Sequence, residues 1–111
     1  MMRENKKNYK FNLIKNIREI KESGDLLVCR DVMQHWPTSE INWFIKEIVP
    51  RFKYALLTND YTPNKSFGDT TIGGYRSINM DELQPQQVLL ERTFPENRVK
   101  RTILWTNPKN Q

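Results

Sequence analysis

Apolar residues in this chain fall into short blocks separated by polar turns, and the spacing inside each block differs. Leu26-Leu27-Val28-Cys29 is a continuous run bounded by Asp25 and Arg30, the pattern of a strand covered on both faces. Ile41, Phe44, Ile45 and Ile48 recur at i, i+3, i+4 and i+7, which places them on one side of a helix. Pro37-Thr38-Ser39-Glu40 opens that helix. Thr38 or Ser39 can accept from its unpaired N–H groups, and Glu40 suits the positive end of its dipole. Pro50 stops it near Val49, because a proline disfavours helical geometry in the residue before it. Lys53-Tyr54-Ala55-Leu56-Leu57-Thr58 is a second buried-strand pattern. Strand, helix and strand over residues 25–58 predict a right-handed parallel crossover.

The flanks read differently. Residues 11–20 carry Phe11, Leu13, Ile14, Ile17 and Ile20, spacings that fit a short helix in part and a strand in part. Ser23-Gly24-Asp25 is a turn. Residues 59–80 hold Asn59, Asp60, Pro63, Asn64, Gly68, Asp69, Gly73 and Gly74, a long loop of the kind that is functional or disordered. Residues 87–94 and 99–105 are two strands, and Pro95-Glu96-Asn97-Arg98 joins them at hairpin length. The expected fold is α/β: a three-layer arrangement with a mostly parallel sheet and a C-terminal antiparallel hairpin.

Composition changes the picture in three places. A length of 111 residues suits one domain with one modest core, and five Phe, four Tyr and three Trp supply large surfaces to bury. Trp36, Trp43 and Trp105 are read as core or edge-packing residues. Of the net charge of +5, residues 1–24 contribute +4, with seven Lys or Arg against three Glu. Residues 1–10 read as a basic flexible tail and 11–111 as the domain. Such an arm can contact phosphate or an acidic partner. No stretch of 18 apolar residues occurs, the start lacks a secretory signal pattern, and Cys29 has no second cysteine to pair with. These features predict an intracellular setting without a membrane span. One His and one Cys cannot make a structural zinc site unaided, so no metal is expected.

One stretch, Cys29-Arg30-Asp31-Val32-Met33-Gln34-His35-Trp36-Pro37, is followed about forty residues later by Gly73-Gly74-Tyr75-Arg76-Ser77-Ile78-Asn79-Met80. Together they resemble the C-terminal half of class I S-adenosylmethionine-dependent methyltransferases, in particular a group of small bacterial and viral members. The resemblance runs over residues 16–107. It takes Leu26–Cys29 as a fourth strand, residues 53–58 as a fifth, and the closing hairpin as the end of the domain. It implies a partial Rossmann-like three-layer sandwich. The glycine-rich turn that such enzymes place after their first strand has no counterpart here, since the four glycines are Gly24, Gly68, Gly73 and Gly74. The resemblance therefore implies a truncated methyltransferase-like domain without autonomous activity. It would bind S-adenosylmethionine only if a complementing chain, or another copy, supplied the missing half, and it would leave a sheet edge exposed.

Ligands of open α/β sheets sit outside the carboxyl ends of the strands. Cys29-Arg30-Asp31 lies there after one strand and Thr58-Asn59-Asp60 after the next. The resemblance gives Cys29 and Arg30 to the cofactor side and Asp31 to the reacting side as a polar orienter. His35, the only histidine, is a candidate general base, since an imidazole titrates near neutrality. Gly73 and Gly74 read as hinges of a substrate-side flap, Tyr75 as a stacking group, and Arg76 as a partner for an anion. The competing function is a non-enzymatic module whose basic N-terminal arm contacts nucleic acid or an acidic partner.

Overall fold

A computed structural model of the chain describes residues 11–13 and 15–110. The basic tail expected at residues 1–10 lies outside them. The regular elements are β1 (Gly24–Arg30), helix α1 (Thr38–Glu47), β2 (Phe52–Tyr61), β3 (Gln86–Phe94) and β4 (Arg98–Thr106). Each strand sits where its apolar run predicts, and β2 runs three residues further than Thr58. In the ambiguous stretch 11–20, a single 3-10 turn forms at Ile17–Glu19.

The four strands form one sheet in the order β1-β2-β4-β3. β1 pairs parallel to β2, with Leu27 opposite Ala55 and Cys29 opposite Leu57. β4 enters between β2 and β3 and runs antiparallel to both. Two of the three pairings are thus antiparallel, which corrects the expectation of a mostly parallel sheet. A strand–helix–strand unit makes one parallel pair, and the hairpin makes one antiparallel pair within itself and a second where β4 meets β2. The chain is α/β with a mixed sheet.

The core occupies one face of this sheet. Ala55, Leu57, Ile103 and Trp105 point from the strands toward Ile41 and Phe44 of α1 and Ile48 just after it, and Met33, Val49 and Ile78 close the cluster. Met33, Ile41, Ile48, Val49, Leu57 and Ile78 have essentially no exposed surface. Full burial of side chains of this kind stabilises the fold by about 1.5–3 kcal/mol each. Around this core Trp36 packs edge-on to Phe44 at 5.2 Å, and Arg18 lies 4.5 Å above the Trp43 ring and pairs with Glu40 at 3.1 Å. The indole N–H of Trp105 donates to the Gln84 carbonyl at 3.2 Å. All three tryptophans pack within the fold.

The opposite face is not layered by any described helix. Alternation along the strands puts Leu26, Val28 and Arg30 of β1 there, with Tyr54 and Leu56 of β2 and Leu104 of β4. Leu26, Val28 and Tyr54 stay exposed. The described residues therefore make two layers rather than three. Among the described residues, β1 also has a neighbour on one side only.

Candidate functional site at the carboxyl ends of the parallel strands

β1 and β2 are parallel, so both deliver their carboxyl ends to the same edge. Asp31 follows β1 with φ +58°, a left-handed conformation that Asp tolerates better than most side chains. Its N–H donates to the Thr58 carbonyl at 2.8 Å, and its carboxylate swings across to β4. There Lys100 Nζ donates to Asp31 Oδ1 at 2.6 Å, while Arg30 Nε stands 3.6 Å from Oδ2.

Asp60 is the penultimate residue of the neighbouring strand, with a side chain only 5% exposed. Its N–H donates to Gln34 Oε1 at 2.5 Å, and the Tyr75 hydroxyl donates to its Oδ2. Lys100 Nζ lies 3.8 Å from Oδ1 and Arg98 Nε 3.9 Å from Oδ2. Lys100 thus sits between two carboxylates from two strands. Burial, and then the bond to Asp60, raise the Tyr75 phenol above its ordinary value of 10.0, so it remains a donor at neutral pH.

His35 Nδ1 is 2.8 Å from the Gly74 carbonyl. A carbonyl only accepts, so Nδ1 carries the proton and the neutral ring keeps its lone pair on Nε2. The imidazole also faces the Tyr75 ring at 5.8 Å. The backbone repeats the same junction: Gly73 N–H donates to the His35 carbonyl at 3.0 Å and Arg76 N–H to the Gln34 carbonyl at 3.2 Å.

The sequence candidates divide here. Asp31, His35, Gly73, Gly74 and Tyr75 meet at one edge of the sheet. Arg76 reaches it by its backbone, but its guanidinium donates to Gln34 and Gly68 carbonyls and to Thr38 Oγ1 over the Phe67 ring. Cys29 turns into the core face, where burial pushes its thiol up to about 11, and it acts as a small neutral hydrophobe. Arg30 points to the opposite, open face. Lys100, Asp60 and Gln34 complete the network; the sequence places Asp60 at this edge without a role, and Lys100 and Gln34 were not among its candidates. The alternate charges Arg98 and Lys100 at the start of β4 were the available signal for Lys100, and the carboxyl end of β2 was the signal for Asp60.

The glycines do not make a cofactor cradle. Gly73 has φ +82° and Gly68 φ +80°, both turn conformations. A Cβ on Gly74 would stand 2.0 Å from Thr70 Oγ1 and 3.1 Å from the Thr71 carbonyl, so the loop itself fills that space. Gly24 precedes β1 and faces the Phe52 ring. With Cys29 in the core and Arg30 on the other face, these residues do not fit S-adenosylmethionine by themselves. Among the described residues, no group of three His, Cys, Asp or Glu could hold a metal ion. Among the described residues, no helix is long and apolar enough to cross a membrane.

Two concavities lie near the loop between β2 and β3. A cavity of about 20 Å³ is lined by Asn59, Asp60, Tyr61, Ile78, Asp81 and Arg101. The side-chain Oδ1 of Asn59 is buried without a hydrogen-bond partner, and the volume matches one water molecule. A wider groove of about 400 Å³ separates α1 from the loop, between Ile41, Ile45, Phe67, Met80 and Leu83. Comparisons with protein-family models, with curated proteins and with solved structures returned no match.

Proposed function

We propose that the chain is one half of a methyltransferase-like α/β domain, carrying the acceptor side and depending on a complementing chain for S-adenosylmethionine. One observation carries the reading. The two stretches on which the resemblance rests, residues 29–37 and 73–80, fold against each other at the carboxyl ends of parallel strands through His35, Gly74 and Tyr75. The one-sided pairing of β1 supports it, as does the face without a helix layer. Both are places where the strands and helices of a partial Rossmann-like three-layer sandwich would join.

On this reading Asp31, Asp60 and Lys100 orient a polar acceptor, His35 Nε2 is the group that takes a proton, and Gly73–Arg76 forms the substrate side. Methyl transfer belongs to the assembled domain, and the lone chain has no step of it. Isothermal titration of the folded chain with S-adenosylmethionine and its demethylated product checks the reading. The expected result is no saturable binding by the chain alone, and micromolar binding once a second chain supplies a strand, a glycine-rich turn and a helix. Micromolar binding by the lone chain would overturn the dependence on a complement, and none with the complement would overturn the methyltransferase reading.

A further inference from the structure

The open face of the sheet is zoned along the strands. Paired residues form two apolar rows, Leu26 beside Tyr54, then Val28 beside Leu56 and Leu104. Leu26, Val28 and Tyr54 are 52%, 60% and 41% exposed. Toward the carboxyl ends of β1 and β2 the rows turn basic. Arg30 aligns with Thr58, Thr102 and Leu90, then Lys100 with Arg92, then Arg98 with Phe94. Four cations stand at that end against two carboxylates: Lys100 and Arg30 pair with Asp31, and Lys100 and Arg98 stand beside the buried Asp60. That end therefore keeps a net positive charge, and Arg30, Arg92 and Arg98 carry it on the exposed surface. Arg92 and Arg98 also stack on the Phe94 ring at 5.9 and 5.2 Å, which restrains both guanidinium groups.

We infer that this face docks one amphipathic helix of the complementing chain, its apolar stripe over Leu26, Val28 and Tyr54 and its carboxylates over Arg30, Arg92 and Arg98. The dimensions agree. From β1 to β4 is two strand spacings, roughly 9.6 Å, close to the diameter of a helix of about 10–12 Å. The rows from Leu26 to Arg98 extend over roughly 26 Å at about 3.3 Å per strand residue, which is about 18 residues of helix. A single-stranded nucleic acid would need aromatic platforms for its bases. The apolar rows offer one exposed ring, Tyr54, among aliphatic side chains, so a protein helix fits better. The source of the helix rests on the half-domain reading, while its chemistry rests on the face alone.

The experiment uses the full chain and a labelled 18-residue synthetic helix, followed by fluorescence anisotropy. The peptide carries Leu at i, i+3, i+4 and i+7 and Glu on the same side at one end; a twin carries Lys in place of Glu. The Glu peptide is expected to saturate at micromolar concentration, at least tenfold tighter than its twin. Val28→Asp, exposed enough to fold normally by circular dichroism, should weaken it tenfold or more, and Arg30→Glu with Arg92→Glu should reverse the preference. Equal affinity for the twins, no saturation, or occupation of the face by a thymidine oligonucleotide in a Val28-dependent manner would overturn the inference. Peptide discrimination without cofactor binding after complementation leaves the docking face standing and removes the half-domain reading. Cofactor binding after complementation without discrimination does the reverse.

Discussion

Cys29 sits on the core side of β1, opposite Leu57, and burial lifts its thiol from 9.0 to about 11. The folded chain therefore favours the protonated thiol. That contribution is intact below pH 9 and is lost as pH rises from 9 toward 11, by on the order of 2–3 kcal/mol. Urea titrations at pH 8 and pH 11 should show wild type losing more stability than Cys29→Ala, which has nothing to titrate. The apolar run predicts a strand covered on both faces; Cys29 is covered, but Leu26 and Val28 of the same run are exposed, and the core placement of Cys29 departs from the cofactor side that the resemblance gives it. Lys100 is the opposite case. Its neighbours Val99 and Arg101 suggest an ordinary solvated strand, and its two carboxylate partners lie on other elements. Asp31 is 69 residues away, a distance at which local patterning carries no information. The lone His35 was found by its chemistry, but its tautomer follows from Gly74, which only the fold brings near.

At the scale of elements, the segment between β2 and β3 is held more tightly than its composition suggests. Ile78 forms a parallel bridge with Tyr61, Asn79 donates to the Thr62 carbonyl at 2.8 Å, and Ile78 is wholly buried. The segment also caps α1. Thr38 or Ser39 is the local expectation for a cap, yet Asp69 Oδ1 accepts from the Thr38 N–H at 2.7 Å, and the Thr38 hydroxyl donates to the Gly68 carbonyl at 2.9 Å. Thr38 is the first helical residue, so its own oxygen is out of place for capping, and an aspartate 31 positions later serves instead. Those backbone donors, Thr38 first and then Thr70, hold the Asp69 carboxyl below its ordinary 3.8. Its stabilising effect is therefore present above pH 3.8 and lost as pH falls through the lowered value. Asp69→Asn should melt at a lower temperature than wild type at pH 6, and the gap should close on acidification below pH 4. The pairing of α1 with the two parallel strands was legible in its i, i+3, i+4, i+7 stripe. The cap was not, because it comes from across the loop.

For the molecule as a whole, one crossover unit and one hairpin share a single sheet, and the placement of β4 decides its character. Strand positions follow from apolar runs, but neighbour relations do not, which is why the sheet is mixed rather than mostly parallel. The interior strands β2 and β4 have partners on both sides, whereas β1 and β3 are edges. Hydrogen–deuterium exchange should rank them accordingly. Amides of β2 and β4 are expected to exchange slowest, and alternate amides of β1 that face away from β2 to exchange fast. Uniform protection along β1 would mean that a second copy already pairs with it.

The outer edge of β1 has one more consequence. Between Asp25 and Arg30 it presents Leu26, Leu27, Val28 and Cys29 without a charge, a proline or a bulge, the devices by which sheet proteins keep edges from recruiting one another. A surplus of this polypeptide over whatever covers that edge would add strand to strand and leave solution. If the proposed complementing chain is what covers that edge, the soluble amount in a cell would track the supply of that cover rather than the chain's own synthesis, and matched production of the two would follow.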